Sequence, residues 1–493
     1  MSLRQNRIHA RSFTFLMLSD PFGGVLTDIS APVSIELTLT HKCNHRCIHC
    51  YNPFADHPDL KKSDLPVSDR IARITEQLVE NNVRKVILSG GEPLTEKRLL
   101  LSVMRSLQEA DIIFSLNTNL TLIDPSFLSD LTSLEKVPSL FVSLPSVTEE
   151  ACDAITGIKG SYRRILDGLK ICCDHNVEVA LNIVVSKKTQ YSYEGIRSLP
   201  ETYPCITHVS LSQVVAPVHD PDNPDFYLDE DDYHRQIDVL RKIYRDHGIS
   251  SGDSIPLPLC ITGYDDEIRQ YSSMCCAGRT HCTIDFDTGQ IHACSHDTES
   301  FGNIYTDGLK YAWERMSDWR DMTYLPEECR NCRMLSVCSG LCRMQVNRPM
   351  KIRLKPYTDY HPDVPVRSAV PPEDVCYRIN PLIRLRPEKF GGIVLTDENK
   401  YVSVMPGTYA LIRYLEKTGD FRIGDIKDTV ETDENFYCVV NELIRSHIII
   451  RSYEKIRKDK KKPSVRRTDG PDKPAEIFIF QTILFPAGLQ RCL

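Results

Sequence analysis

Between residues 34 and 250 the chain alternates two hydrophobic rhythms. Ser34-Ile35-Glu36-Leu37-Thr38-Leu39 switches polar and apolar residue by residue, the period of a half-buried strand. Ile71, Ile74, Leu78 and Val79 then recur at helical spacing and predict a helix over Asp69–Asn82. Apolar runs at Lys85–Leu88, Ile112–Leu116, Leu140–Leu144, Val177–Val185 and His208–Val215 predict further strands. Helical patterns at Glu96–Ala110, Tyr162–His175, Glu194–Leu199 and Asp231–His247 lie between or after them. Strands alternating with helices imply βαβ units and parallel pairing. An α/β fold follows, either an open or closed β/α barrel or a doubly wound sheet. Both put functional loops at the C-terminal ends of the strands. Cys43–Cys50 follows the first strand and Gly90-Gly91 ends the second, so both fall on that rim.

After residue 250 the periodicity fades and Cys, Gly and Arg become dense. A segment with so thin an apolar core is expected to fold around metal. Pro356–Pro372 reads as a linker or lid. From Arg378 a small module begins, with strands at Leu382–Leu385 and Gly392–Leu395. Helices follow at Pro406–Thr418, Ile423–Val430 and Asp433–Ser446, then a strand at Ile448-Ile449-Ile450. That order suggests a winged-helix-like unit. Lys455–Lys473 is highly charged and predicted disordered. The expected divisions are an N-terminal extension (1–30), a β/α barrel (31–250), a metal-stapled segment (251–377), the small module (378–454) and a tail (455–493).

The chain has 493 residues, 60 Lys+Arg and 67 Asp+Glu, a net charge of −7. Mild acidity argues against a nucleic-acid partner. No apolar run reaches the ~18–20 residues that span a bilayer, so no membrane association is expected. Phe13–Leu18 is short, and Ser19-Asp20-Pro21-Phe22 offers no small-residue cleavage site. A cytoplasmic protein is the expectation. Against this ordinary background stand 19 cysteines. A long chain without a secretion signal does not need disulfides for a core, so closely spaced cysteines read as metal or redox chemistry. The scattered ones, Cys152, Cys172, Cys173, Cys205, Cys260, Cys438 and Cys492, read as packing or surface thiols.

Cys43-x3-Cys47-x2-Cys50 places three thiolates on one loop. Structural zinc takes four ligands, which here would require His45, His49 or a remote residue. Three ligands on a four-iron cluster instead leave one iron open. With Tyr51 following, and Ser89-Gly90-Gly91-Glu92-Pro93 ending the second strand, the chain resembles the radical S-adenosylmethionine (SAM) enzymes. The resemblance implies a partial (β/α)6 barrel. It also implies that SAM chelates the open iron and that Gly90, Gly91, Glu92 and Pro93 contribute to the SAM site. A 5′-deoxyadenosyl radical, formed by reductive cleavage of SAM, would abstract a substrate hydrogen. Ser143 and Asn182 resemble SAM contacts of the family, and His49 matches a variant found near the adenine. The usual acidic residue after Ser143-Leu144 is absent, since Pro145-Ser146 follows.

Cys276-x12-Gly289-x4-Cys294 and Cys329-x2-Cys332-x5-Cys338-x3-Cys342, with Cys376 beyond, resemble the SPASM domain, an iron–sulfur extension of many radical SAM enzymes. The resemblance implies two auxiliary [4Fe–4S] clusters. Cys276, Cys282, Cys294 and Cys342 would hold the first; Cys329, Cys332, Cys338 and Cys376 the second. Cys275 could substitute for Cys276. Two structural zinc sites are the plainer alternative. The Arg378–Arg451 module resembles the PqqD-like recognition elements of peptide-modifying enzymes. Together these resemblances imply a maturase that crosslinks a ribosomally made precursor peptide through a thioether or carbon–carbon bond. An external electron donor such as flavodoxin or ferredoxin would be its partner. A cofactor-pathway enzyme acting on a haem-type substrate is the alternative. A sulfatase-maturase-like enzyme fits less well, because Ser295 stands where those enzymes place an Asp. A zinc-stapled binding protein is the non-enzymatic alternative. No catalytic acid or base is identified.

Overall fold

The computed structural model describes residues 29–452, apart from 56–59, 190–192, 216, 264–274, 339, 347, 350, 359–371, 373–374, 397–400 and 427–433. The expected tail, most of the N-terminal extension and much of the Pro-rich linker lie outside the described residues.

The chain divides into two compact units, with a boundary between Pro362 and Asp363. In the larger, seven strands run in parallel: β1 (Ser34–Thr38), β2 (Lys85–Ser89), β3 (Ile113–Thr118), β4 (Ser139–Ser143), β5 (Val179–Val185), β6 (Ile206–Gln213) and β7 (Ser250–Gly252). Each neighbours its sequence successor. A doubly wound sheet would reverse direction at a switch point; this sequential order is that of a β/α barrel. The crossovers carry α1 (Val67–Glu80), α2 (Lys97–Glu109), α3 (Pro125–Thr132), α4 (Glu149–Thr156), α5 (Ser161–Asp174) and α6 (Glu230–His247).

The helices follow their sequence signals closely. α1 buries Ile74 and Leu78 on the face the periodicity marks. α6 opens on a capping box in which Asp229 and Asp232 each accept the other's backbone N–H. The two short helices α3 and α4 escaped the periodicity reading because eight residues give little more than two turns.

β1 departs from expectation. Its polar positions Ser34 and Glu36 are buried alongside Ile35 and Leu37. A parallel sheet is covered on both faces, so the alternation marks a polar interior face, not a solvent face. On its other edge β8 (His281–Asp285) pairs parallel with β1, Ser34 opposite His281 through Thr38 opposite Asp285. β8 pairs in turn with β9 (Gln290–His292), and β9 with β10 (Gly302–Asn303). The cysteine-rich segment therefore continues the barrel's sheet into one of ten strands.

The smaller unit has β11 (Cys376–Ile379), β12 (Arg384–Glu388), β13 (Gly391–Leu395), β14 (Tyr401–Val404), β15 (Phe421–Arg422) and β16 (Ile449–Arg451). β12-β13-β14 form an antiparallel meander; β15 and β16 flank β11 antiparallel. Helices Pro406–Thr418 and Glu434–Arg445 cover a core including Tyr377, Val394, Leu411, Phe436 and Leu443. The expected strands and the two longer helices form, with β11, β14 and β15 added; of the expected helix Ile423–Val430 only Ile423–Ile426 lies within the described residues and is helical.

Candidate functional site

The Cys43–Cys50 loop leaves the C-terminal end of β1 and is pinned from several sides. Arg46 N–H donates to Thr156 O (2.8 Å) and Ile48 N–H to Ile155 O (3.0 Å), both at the end of α4. Cys50 N–H donates to Cys47 O, and Cys50 O accepts from Val218 N–H (2.9 Å). Besides burial, charge on Cys50 raises the thiol pKa of both Cys43 and Cys47. Cys43 presents surface to solvent, yet burial pushes its thiol up to about 11, with neighbouring charge from Glu92 and Cys50 adding to the rise. Burial also pushes Cys47 strongly up, then Cys43 and Cys50. As bare thiols Cys43 and Cys47 stay protonated at neutral pH; a cationic iron centre would reverse that preference. Three thiols on a fixed loop fit the three-ligand, open-iron site.

Gly90 and Gly91 stand directly against this loop. A β-carbon on Gly91 would lie 2.2 Å from Lys42 O, and one on Gly90 2.4 Å from Thr40 O. Gly91 N–H donates to Thr40 O (2.7 Å) and Glu92 N–H to Lys42 O (2.8 Å). The missing side chains thus let two backbones pair at the mouth of the sheet. Glu92 is buried, and its carboxylate accepts from Leu94 N–H (2.9 Å), Thr118 Oγ1 (2.8 Å) and Asn119 N–H (2.6 Å). Burial raises it to about 7 despite those bonds. It ties β2 to β3. Pro93 is buried at the first turn of the short helix Pro93–Glu96.

Asn119 continues the network: its Nδ2 donates to Asn44 Oδ1 (2.9 Å), and Asn44 Nδ2 donates to Thr121 Oγ1 (2.8 Å). Asn44 lies between the first two cysteines. The chain Glu92–Asn119–Asn44 is a support for the cysteine loop that motif reading missed. Polar residues at the end of a strand, Asn117-Thr118-Asn119, were its only sequence signal. Ser143 ends β4 opposite Asn182 of β5. Asn182 is buried and its Oδ1 accepts from Ser212 Oγ (2.7 Å) on β6.

β8 and its turn close onto the same rim. His41 Nε2 and Asp285 form a short ion-pair contact, and Asp285 accepts from Thr288 N–H (2.7 Å). Asp287 pairs with Arg70 (2.9 Å) and Lys62 (2.6 Å). Tyr51 stacks on His296 with ring centroids 4.3 Å apart. Glu36 of β1 is buried, raised to about 7 by desolvation, and hydrogen-bonds Ser89 and Ser295. The residues following Cys50 and Cys294 therefore share one side of the sheet.

The later cysteines form two gatherings, neither matching the expected set in full. Cys294 is pushed well up by burial, then by neighbouring Cys342 and Cys275; Cys342 is raised to about 12 by burial, then by Cys275. The structure thus brings Cys275 to Cys294 and Cys342. Cys276 uses its carbonyl to accept the N–H groups of Arg279, Thr280 and His281. Cys282 is fully buried in β8, with burial alone raising its thiol. Cys329, Cys332 and Cys338 line one cavity together with Cys260. Cys376 lies on β11 of the smaller unit, where Ser452 Oγ donates to its sulfur (3.6 Å). Among the described residues no three Cys, His, Asp or Glu side chains converge as a single-ion site. Cys173 and Cys205, expected as free thiols, form a disulfide.

Residues 37–194 match the radical SAM superfamily, and residues 275–333 match SPASM, an iron–sulfur cluster-binding domain. An AdoMet-dependent heme synthase of Methanosarcina barkeri is 24% identical over 357 residues, 68% of this chain and 98% of the relative. The mycofactocin maturase MftC of Mycolicibacterium smegmatis is 25% identical over 337 residues, 64% of this chain and 79% of the relative. Streptococcus suis SuiB, solved with precursor peptide SuiA, shares the fold with a TM-score of 0.52 and 18% identity, over 64% of this chain and 73% of its own. The zinc-stapled binding protein does not account for these matches. No described helix is long and apolar enough to cross a membrane. The chain is a radical SAM enzyme carrying a SPASM domain, and its cofactors are S-adenosylmethionine and [4Fe–4S] clusters.

Proposed function

We propose that this enzyme modifies a ribosomally made precursor peptide in the cytoplasm, forming a thioether or carbon–carbon crosslink. The observation that carries the proposal is the smaller unit. It has a hydrophobic core of its own and a three-stranded meander whose outer strands are β12 and β14. We read residues 378–454 as a PqqD-like recognition module. An extended peptide added to such an edge gains main-chain hydrogen bonds, and side-chain pockets fix its register. A maturase among the relatives, and a fold relative solved with its precursor peptide, support a peptide substrate.

Cys43, Cys47 and Cys50 would hold the cluster that binds SAM. Gly90 and Gly91 keep the facing backbone free of side chains, and Glu92, Asn119 and Asn44 hold the loop in place. Ser143, at the end of β4, and Asn182, opposite it in the middle of β5, would bound the SAM site. Bound SAM and its cluster supply reductive cleavage and a radical that takes hydrogen from a peptide Cα or Cβ. The strand-end loops would exclude water and aim that reactivity. The remaining cysteine groups would carry electrons, with flavodoxin or ferredoxin as the external donor.

A second reading, a haem-type small-molecule substrate, is favoured by the similarity across 98% of the heme synthase. The separating experiment incubates anaerobic enzyme, SAM and strong reductant with short peptides encoded beside its gene. A mass change in one peptide, accompanied by 5′-deoxyadenosine, is the expected result. Deoxyadenosine formation with every peptide unchanged supports the small-molecule reading.

A further inference from the structure

Cys329, Cys332 and Cys338 need a fourth thiolate to close a four-iron site, and the resemblance to the SPASM domain implies Cys376 for that place. The fold offers another residue. Cys260 lies on α7 (Leu259–Thr262), nearly seventy residues upstream of Cys329. Its side chain lines the same cavity as Cys329, Cys332 and Cys338.

With the thiols protonated, three hydrogen bonds join the segment around α7 to this group, of which the one donated by Cys338 gives way on ligation. Cys338 Sγ donates to Leu257 O (3.7 Å), and Tyr357 Oη donates to Leu259 O (3.4 Å). Tyr357 N–H in turn donates to Cys332 Sγ (3.3 Å). Backbone N–H donation to sulfur is the kind of contact that stabilises a cluster thiolate. Pro258, Leu259, Leu335 and Leu341 supply an apolar wall. All four thiols belong to the larger unit, so the set is complete within one compact body. Cys376 belongs to the smaller unit, where its strand pairs with β15 and β16.

We propose that Cys260, Cys329, Cys332 and Cys338 together hold one auxiliary [4Fe–4S] cluster, and that Cys376 is not its ligand. This rests on the reading of the cysteine-rich segment as cluster-binding and deepens it by assigning the fourth ligand. Each thiol releases its proton to solvent on ligation, and ligation itself transfers no electron. Four cysteinyl ligands leave no iron open, which suits electron transfer and not substrate chelation.

Two measurements test the assignment. The first uses full-length chain carrying Cys43→Ala, Cys47→Ala and Cys50→Ala, so that only auxiliary iron is counted. Adding Cys260→Ala is expected to remove about four irons per chain, or to convert one cluster to a three-iron form by Mössbauer spectroscopy. Adding Cys376→Ala is expected to leave iron and spectrum unchanged. The assignment is overturned by an unchanged spectrum with Cys260→Ala, or by cluster loss with Cys376→Ala. Zinc in place of iron would overturn both this assignment and the cluster reading beneath it.

The second measurement needs no substitution. Native holoenzyme is alkylated anaerobically with iodoacetamide before and after iron is stripped by oxidant and chelator, and labelled sites are read by mass spectrometry. Cys260 is expected to be shielded until iron is removed, whereas Cys376 labels equally in both states. Equal labelling of Cys260 with iron in place overturns the proposal.

Discussion

Gly91 has no room for a β-carbon, because the position it would take lies 2.2 Å from the Lys42 carbonyl oxygen. That oxygen belongs to the backbone and cannot swing aside as a flexible side chain would. Gly91→Ala must therefore part the two loops and break the Glu92 N–H to Lys42 O bond. The expected cost is about 2–4 kcal/mol, by the scale of overpacking and lost buried hydrogen bonds. Thermal unfolding together with iron retention by the first cysteine group checks it. Glu92 gives a pH signature. Its carboxyl is raised to about 7 in the fold, from an ordinary value of 4.5. A raised carboxyl lends stability that is fully present below about pH 4.5 and is lost as pH rises through 7. The span corresponds to at most about 3 kcal/mol. Relative to Glu92→Gln, wild type should lose stability between pH 5 and pH 8, seen as a changing difference in Tm. A constant difference would show that ionisation of Glu92 costs nothing.

The Cys43–Cys50 loop is an element pinned by hydrogen bonds to α4 and Val218 and by the Asn44–Asn119 pair. Its replacement should therefore be local. The combined Cys43→Ala, Cys47→Ala, Cys50→Ala chain is expected to lose all SAM cleavage while retaining auxiliary iron. Iron analysis and deoxyadenosine assay of one sample check both halves, and persistent cleavage would contradict the site. β1 teaches a related lesson about elements. Its alternating pattern was legible, yet the pattern alone could not say that both faces are covered. Nor could it say that β1 is paired on both edges, with β2 and with β8 from a segment nearly 250 residues away.

At the scale of the molecule, the shared sheet and the separate unit predict opposite outcomes for two truncations. Ending the chain at residue 250 strips β8 from β1 and opens a long parallel edge, so insoluble or unfolded protein is expected. Ending it at residue 362 removes the unit with its own core, so a folded enzyme that still cleaves SAM without peptide is expected. Under the recognition proposal its peptide affinity falls, and equal affinity by calorimetry would remove that proposal. The sequence by itself determined the barrel strands β1–β6, the longer helices and where the thiols cluster along the chain. Those properties are local: periodicity, caps and ligand spacing act over a few residues. It also carried the family likeness in Cys43, Cys47, Cys50 and Gly90-Gly91-Glu92-Pro93. Only the tertiary structure decided that Glu92 joins strands, that Cys275 meets Cys294 and Cys342, that Cys173 pairs with Cys205, and that Cys260 enters the Cys329 group. Each of those depends on strand order and on loops meeting across the fold, and spacing along one chain does not encode which distant loop arrives.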